Sequence, residues 1–301
     1  MAPLDQVVAD IGGDVKHAFR SLIRARAYAA VVVVSLAVGI GVSSALFSAI
    51  HATWGAPVPG VTEQGRSLDA VMVQDGHEEF RWTYPDFVAV QSAATPLEAI
   101  TAWAEADATL GAEDAKARVH VAYATSDYFA VLGVSPLLGR GFLPSEDTGP
   151  GQHPVAVIGH ELWQREFGGR ADILGQTTTV DRVPYTVVGV APEGFVGARV
   201  TISHIDLWMP LVQHPGLAGD GPTIEDRNRL SVQVLGRLGP GATRPQVQAA
   251  LATVYGRLAE DFPESNENRT VRVASFGRFP AQNRIGDLIA LVGLGGLLGV
   301  L

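Results

Sequence analysis

The stretch HELWQREFGG, residues 160–169, opens with a histidine and a glutamate in the order used by helical zinc sites. Such a site needs a second imidazole four residues on, so that both rings project from one helix face toward the metal. That position holds Gln164, a poor zinc ligand, so His160 and Glu161 read as ordinary helix surface. His51, His77, His120, His153, His204 and His214 are scattered without ligand spacing, and the absence of cysteine excludes thiolate sites and disulfides alike. There is no G-x-x-x-x-G-K-[ST] phosphate loop and no G-x-S-x-G elbow. GIGVSS (39–44) lies inside an apolar run with no strand before it, which is not the setting of a dinucleotide turn. Glu146, Asp147, Glu225 and Asp226 would form a catalytic carboxylate pair only if folding brought them together, and they are expected to be solvated loop charges. The expectation is no catalytic, cofactor-binding or metal site.

The remaining signal lies in how apolar residues are distributed. A chain of 301 residues with net charge -9 nevertheless has a mean hydropathy of +0.18, so apolar residues are concentrated in particular segments over an acidic remainder. The acidity argues against a general nucleic-acid binder. YAAVVVVSLAVGIGVSSALFSAI (28–50) runs 23 residues without a charge, about 34 Å as a helix against a bilayer core of about 30 Å. It is too long for the apolar part of a signal peptide and its polar leader is long as well, so an uncleaved transmembrane helix is expected. LIALVGLGGLLGVL (288–301) reads as the start of a second, truncated transmembrane helix. Lys16, Arg20, Arg24 and Arg26 precede the first span and place that end in the cytoplasm by the positive-inside rule, with everything after His51 translocated. The leading 27 residues carry +1, leaving -10 for the rest.

Val7, Ile11, Val15, Phe19, Leu22 and Ile23 recur at helical intervals, which predicts an amphipathic helix over residues 1–27 lying on the cytoplasmic membrane surface. A helix packed on another cytoplasmic protein reads the same way. Ser35, Gly39 and Ser43 fall at four-residue spacing and form a candidate helix-packing seam. Trp54 stands where an interfacial ring is expected.

Between the spans, strand and helix signals alternate. SLDAVMV (67–73) reads as a strand and TYPDFVAVQSA (83–93) as a helix capped by Thr83 with Pro85 in its first turn. LEAITAWAEADATL (97–110) reads as a strand pair, ARVHVAYA (117–124) as a strand, and SDYFAVLG (126–133) as a short helix with Ser126 as cap and Gly133 as stop. A Pro/Gly-rich loop precedes the strand VAVIG (155–159), the helix of 160–167 and a hairpin (177–190) turning at Asp181-Arg182. DLWMP (206–210) and LSVQVLGRL (230–238) read as strands. A helix from Pro245 to Asp261 carries Val247, Leu251, Val254 and Leu258 along one face, and TVRVASF (270–276) closes as a strand. Trp103, Trp163 and Trp208 are expected core anchors. The pattern predicts an α+β domain over residues 51–283 with an inserted part at about 125–215.

This ordered set resembles the N-terminal half of MacB-type (FtsX-like) ABC transporter permeases. The residues that carry the likeness are 14–50, YPDF (84–87), YFAVLGVSPLLGRGF (128–142), PVAVIGHELWQREFGG (154–169), ILGQTTTVDRVPYTVVGVAPEGF (173–195), DLWMP (206–210) and VLGRLGPGAT (234–243). Asp181-Arg182 stands where that family often has Asp-Gly. The resemblance implies an α+β extracytoplasmic domain, a porter-like βαβ part with an inserted β-rich subdomain, between transmembrane helices of the bacterial inner membrane. It further implies a non-catalytic permease subunit, in a homodimer, coupled to a separate cytoplasmic ATP-binding subunit. On that reading Phe19, Leu22, Ile23, Ser35, Gly39 and Ser43 transmit motion. The alternatives are a membrane-anchored binding or scaffold module without an ATPase, and a secreted hydrolase, for which no motif speaks.

Overall fold

The computed structural model describes residues 26–54, 57–111, 117–149, 151–199, 204–215, 226–229 and 231–277. It divides into two units, one holding Met1–Trp54 with Ile285–Leu301 and the other Gly55–Arg284.

In the first unit a single helix, α1 (Arg26–Trp54), is described. Its 29 residues extend about 43 Å at 1.5 Å per residue. Valine and isoleucine disfavour isolated helices in water, yet Val31, Val33, Val34, Leu36, Val38, Ile40 and Val42 stand on this helix 42–64% exposed. Counted over described residues alone, no helix is long and apolar enough to cross a membrane. Several residues of the run 28–50 fall outside that count, and the 23 uncharged residues are a property of the sequence.

The second unit is built on one eleven-stranded sheet. Its first half contains β1 (Ser67–Gln74), α2 (Tyr84–Ser92) and β3 (Leu97–Leu110), then β10 (Gln233–Leu238), α5 (Arg244–Asp261) and β11 (Arg269–Ser275). These strands lie in the order β11-β1-β10-β3, all neighbours antiparallel. This is a split pair of β-α-β units, each connection supplied by a helix. A short strand, β2 (His77–Glu79), folds back on β1.

Between β3 and β10 the chain builds the second half of the sheet. It comprises β4 (Ala117–Ala124), α3 (Tyr128–Leu132), β5 (Leu138–Gly139), β6 (Val155–Ile158), α4 (His160–Phe167), β7 (Thr177–Val180), β8 (Val183–Val190) and β9 (Leu207–Pro210). The sheet continues through β4-β9-β6-β8-β5, with β4/β9 and β6/β8 parallel.

The join is β3 itself. Residues 97–103 pair with β10 and residues 103–110 with β4, so Trp103 faces Gln233 on one side and Ala124 on the other. The expected strand pair over 97–110 is therefore one strand of 14 residues. Glu105 and Asp107, which resemble a polar break in the sequence, point to one face, where His120 of the neighbouring strand lies between them.

Alternation along the strands divides the core into two clusters on opposite sheet faces. Ala102, Val121, Tyr123, Ala156, Ile158, Leu207, Met209 and Val234 belong to the cluster shared with α2, α4 and α5. Trp103, Ala122, Ala124, Val157, Trp208 and Leu235 belong to the cluster shared with α3, Val58, Phe195 and Phe276. Trp103 and Trp208 are buried as expected, and Trp82, fully buried against Tyr255 with ring centroids 5.5 Å apart, joins them. On α5 the buried stripe is Val247, Leu251, Tyr255 and Leu258, because the stripe drifts past Val254 toward Trp82.

Local chemistry explains the boundaries. The Asp86 N–H donates to Thr83 Oγ1 at 3.3 Å, closing the start of α2. α3 begins after Asp127, not Ser126, without a side-chain cap, and stops at Gly133 in the left-handed region, φ 64°. Asp181 and Arg182 both adopt positive φ, 47° and 69°, as a two-residue hairpin turn requires. The outer edge of β11 is covered by Gln248, whose amide donates to Val271 O at 2.6 Å and accepts from Val273 N–H at 2.7 Å. One side chain thus stands in for a further strand and blunts an edge that could pair with another chain.

Candidate functional site

Of the residues expected to transmit motion, Phe19, Leu22 and Ile23 lie outside the described residues. Ser35, Gly39 and Ser43 fall on one face of α1 by their four-residue spacing. Ser35 and Ser43 are exposed and Gly39 is half-buried. With no ionisable group between residues 28 and 50, this surface can bind nothing by charge. Small side chains there let another helix approach closely.

The Gly55–Arg284 unit is entered and left at one end, because β1 and β11 run antiparallel and Leu68 lies opposite Ser275. Ionic contacts gather at that end. Arg199, 6% exposed, donates Nη1 to Asp69 Oδ2 at 3.1 Å and to Gly277 O at 3.0 Å, and its Nη2 closes on the other Asp69 oxygen. Its guanidinium lies 6.0 Å from the Trp103 ring and 5.7 Å from the Phe276 ring. Glu63 meets Arg237 and, at 3.2 Å, Arg66, while Arg66 also meets Glu98.

Two further polar centres lie away from this end. Asp86 is fully buried and accepts from Arg227 Nη1 at 2.9 Å and from Asn266 Nδ2 at 3.1 Å, with Arg269 Nη1 at 3.5 Å. Arg227 also covers the Phe262 ring at 3.6 Å. On the sheet face, His120 Nδ1 lies 3.1 Å from Asp107 and Nε2 3.2 Å from Glu105. Hydrogen bonds from Arg118, foremost, and from His120 hold the Asp107 carboxyl below its ordinary range.

The structure corrects the reading of Glu146 and Asp147 as solvated loop charges. Glu146 is 7% exposed; burial pushes its carboxyl up, but Arg140 at 2.7 Å and the Leu143 N–H outweigh that and leave it lowered. Burial drives Asp147 up to about 6, with the Ser126 and Val212 N–H groups only partly compensating. Asp147 Oδ1 is buried without a hydrogen-bond partner. Between the unfolded value near 4 and the folded value near 6, the folded state holds a proton that the unfolded chain has released. Stability must therefore fall as pH rises through that window and stay reduced above it. Asp147→Asn removes the penalty and should raise stability at pH 7 by about 1–3 kcal/mol while leaving it unchanged below about pH 4. Urea titrations at both pH values test this, and equal gains at both would contradict it.

Among the described residues no group of three or more His, Asp or Glu side chains is arranged to hold a metal ion. The His160 ring packs edge-on to Trp163 at 5.6 Å, and Glu161 is exposed. His214, lowered by burial and then by Arg229, packs edge-on to Tyr123 at 4.7 Å. Glu225 lies outside the described residues. Asp69 and Arg199 are not marked by the sequence pattern, and Asp86 only by its place three residues after the Thr83 cap. A signal for both carboxylates exists: each is a lone carboxylate within an apolar run, and a buried charge demands a partner.

A family model described as the MacB-like periplasmic core domain matches residues 29–254. Over 83 residues, 28% of this chain and 12% of the relative, the sequence is 39% identical to the "Probable syringafactin export ATP-binding/permease protein SyfD" of Pseudomonas syringae pv. syringae. Over 56 residues, 19% of this chain and 8% of the relative, it is 41% identical to the pyoverdine export ATP-binding/permease protein PvdT of Pseudomonas syringae pv. tomato. The matched stretches thus span only a small part of those relatives' length. Among solved structures, the periplasmic region of MacB from Actinobacillus actinomycetemcomitans superposes with a TM-score of 0.51 at 12% identity, covering 77% of this chain and 95% of that one. The shared fold is the mixed α+β, sheet-rich domain described above.

Proposed function

Because this chain belongs to the family of MacB-like periplasmic core domains, we propose that it is a non-catalytic permease subunit of an ABC exporter. α1 crosses the bacterial inner membrane, and the sheet domain stands on the extracytoplasmic side. A separate cytoplasmic ATP-binding subunit supplies the energy. The observation that carries this reading is α1: 29 residues, seven large aliphatic side chains open to their surroundings, and no charge over residues 28–50. In water such a surface is costly, whereas in lipid it is the favoured state. The common end at which the Gly55–Arg284 unit is entered and left suits a domain suspended between flanking helices.

In this mechanism, ATP-driven closure of the partner subunit shifts the transmembrane helices of a dimer, and the outer domains follow. A nucleotide can bias such an equilibrium only if the two helix arrangements differ in their contacts with the ATPase. Phe19, Leu22 and Ile23 are assigned to the cytoplasmic contact, and Ser35, Gly39 and Ser43 to helix packing. Leucine at both Gly39 and Ser43 removes the close approach and should reduce partner-stimulated ATP hydrolysis about tenfold or more, with the extracytoplasmic fold intact. Unchanged assembly and hydrolysis would sink the seam assignment. Membrane insertion is tested separately: after alkaline extraction the protein should stay in the membrane pellet, and release into the supernatant would contradict a spanning helix.

A further inference from the structure

Residues 57–66 join the entry of the Gly55–Arg284 unit to β1; residues 58–63 are held by the α3 face of the sheet, while Arg66 at the end of the segment reaches Glu98 and, at 2.7 Å, the Leu238 carbonyl. Val58, 1% exposed, sits in the cluster of Tyr128, Phe129, Leu132 and Phe195. The Gln64 side chain ties the segment into a compact turn, accepting from Val58 N–H at 3.2 Å and donating to Val58 O at 2.8 Å. Thr62 then fastens that turn to the end of α3. Its N–H donates to Leu132 O at 3.2 Å and its Oγ1 to Gly133 O at 2.7 Å. Glu63, with φ 49°, occupies a backbone region unfavourable to a side-chain-bearing residue. What holds it there is visible: its carboxylate meets Arg237, a 7%-exposed residue whose Nη1 reaches Val131 O of α3 at 3.4 Å.

The exit is fastened to the same face. Phe276 is buried in the α3-side cluster, and Gly277 O accepts from Arg199 of the loop 191–199. The cluster shared by α2 and α5 contains none of residues 57–66.

We infer that residues 57–66 act as a lever that delivers displacement of the entering chain to α3, and so to the inserted half of the sheet, rather than to α2 and α5. Thr62, Glu63 and Arg237 are its positioning residues. The inference deepens the transporter reading, since it rests on motion arriving from the membrane helix. A passive tether would lack this directional response: opening it would leave α3 as before.

The test is amide hydrogen exchange on the full chain in lipid nanodiscs, wild type against the Thr62→Val/Glu63→Gln double variant. Both positions lie at the surface, and Glu63→Arg serves as a second variant that repels Arg237. Exchange at Thr62 and over residues 131–134 should accelerate about tenfold, as expected for the loss of one or two local hydrogen bonds and an ion pair, with α5 and β11 unchanged. Faster exchange at Thr62 with residues 131–134 unmoved, or no change at Thr62 at all, would overturn the lever. Adding the copurified ATPase under ATP and vanadate gives a readout that simple loosening would not move. A nucleotide-dependent change at residues 131–134 in the wild type should vanish in the variants, and its persistence there would also overturn the lever. Absence of any ATPase or nucleotide response would count against the transporter reading, while the nucleotide-free exchange comparison still decides the lever.

Discussion

Asp86→Ala should destabilise the extracytoplasmic unit by about 3–5 kcal/mol, the cost of leaving a buried charge without its counter-ion. Asp86 has no solvent exposure, and Arg227, Asn266 and Arg269 all converge on its two oxygens. Arg269, whose side chain is 4% exposed, would keep, among the described residues, only Arg227 O at 2.8 Å and Gln74 at 3.3 Å. The network ties the start of α2 to the approach to β11 and to residues 226–229, so its loss should open the α2/α5 face first. Urea unfolding followed by tryptophan emission reports on it directly, since Trp82 lies four residues away and is fully buried. A loss below about 1 kcal/mol would mean that the network does not exclude water as the geometry implies.

The second large effect concerns Asp69 and Arg199. Asp69→Leu alone should cost about 3–5 kcal/mol, because Arg199 would remain buried between Trp103 and Phe276 with, among the described residues, only Gly277 O to receive it. The double variant Asp69→Leu/Arg199→Met should recover most of that loss, since buried ion pairs replaced by apolar groups of similar size are often neutral or stabilising. A double-mutant cycle isolates the interaction. Additive losses would show that the two side chains act separately, against the bidentate geometry. The pair joins β1 to the loop 191–199 across 130 residues of sequence, so the cycle also measures how firmly the inserted half is fastened to the first.

Most elements were legible in the sequence because their signals are local. Thr83 with Pro85 starts a helix, Gly133 and Gly168 stop two more, and the Asp181-Arg182 turn closes a hairpin. Each of these is decided by a few neighbouring residues. What eluded sequence reading was decided at long range. β3 continues through Glu105 and Asp107 because His120 of another strand sits between their carboxylates. Tyr255 is the fully buried member of the α5 stripe at that turn because its ring packs on Trp82, while Val254 packs half-buried against the same core. Glu146 is buried because Arg140 and the Leu143 N–H receive it, and Asp147 is half-buried against the Ser126 N–H. The candidate seam Ser35, Gly39 and Ser43 is plain from spacing, whereas spacing alone does not name the surface it would meet.

The central claim, a permease subunit working with a separate ATPase, is tested most directly by purifying the full-length protein from gently solubilised native membranes and assaying what accompanies it. The account predicts a stoichiometric nucleotide-binding subunit whose ATP hydrolysis changes when the permease is present. A clean preparation, repeatedly free of ATPase, would contradict it and leave a membrane-anchored scaffold as the reading.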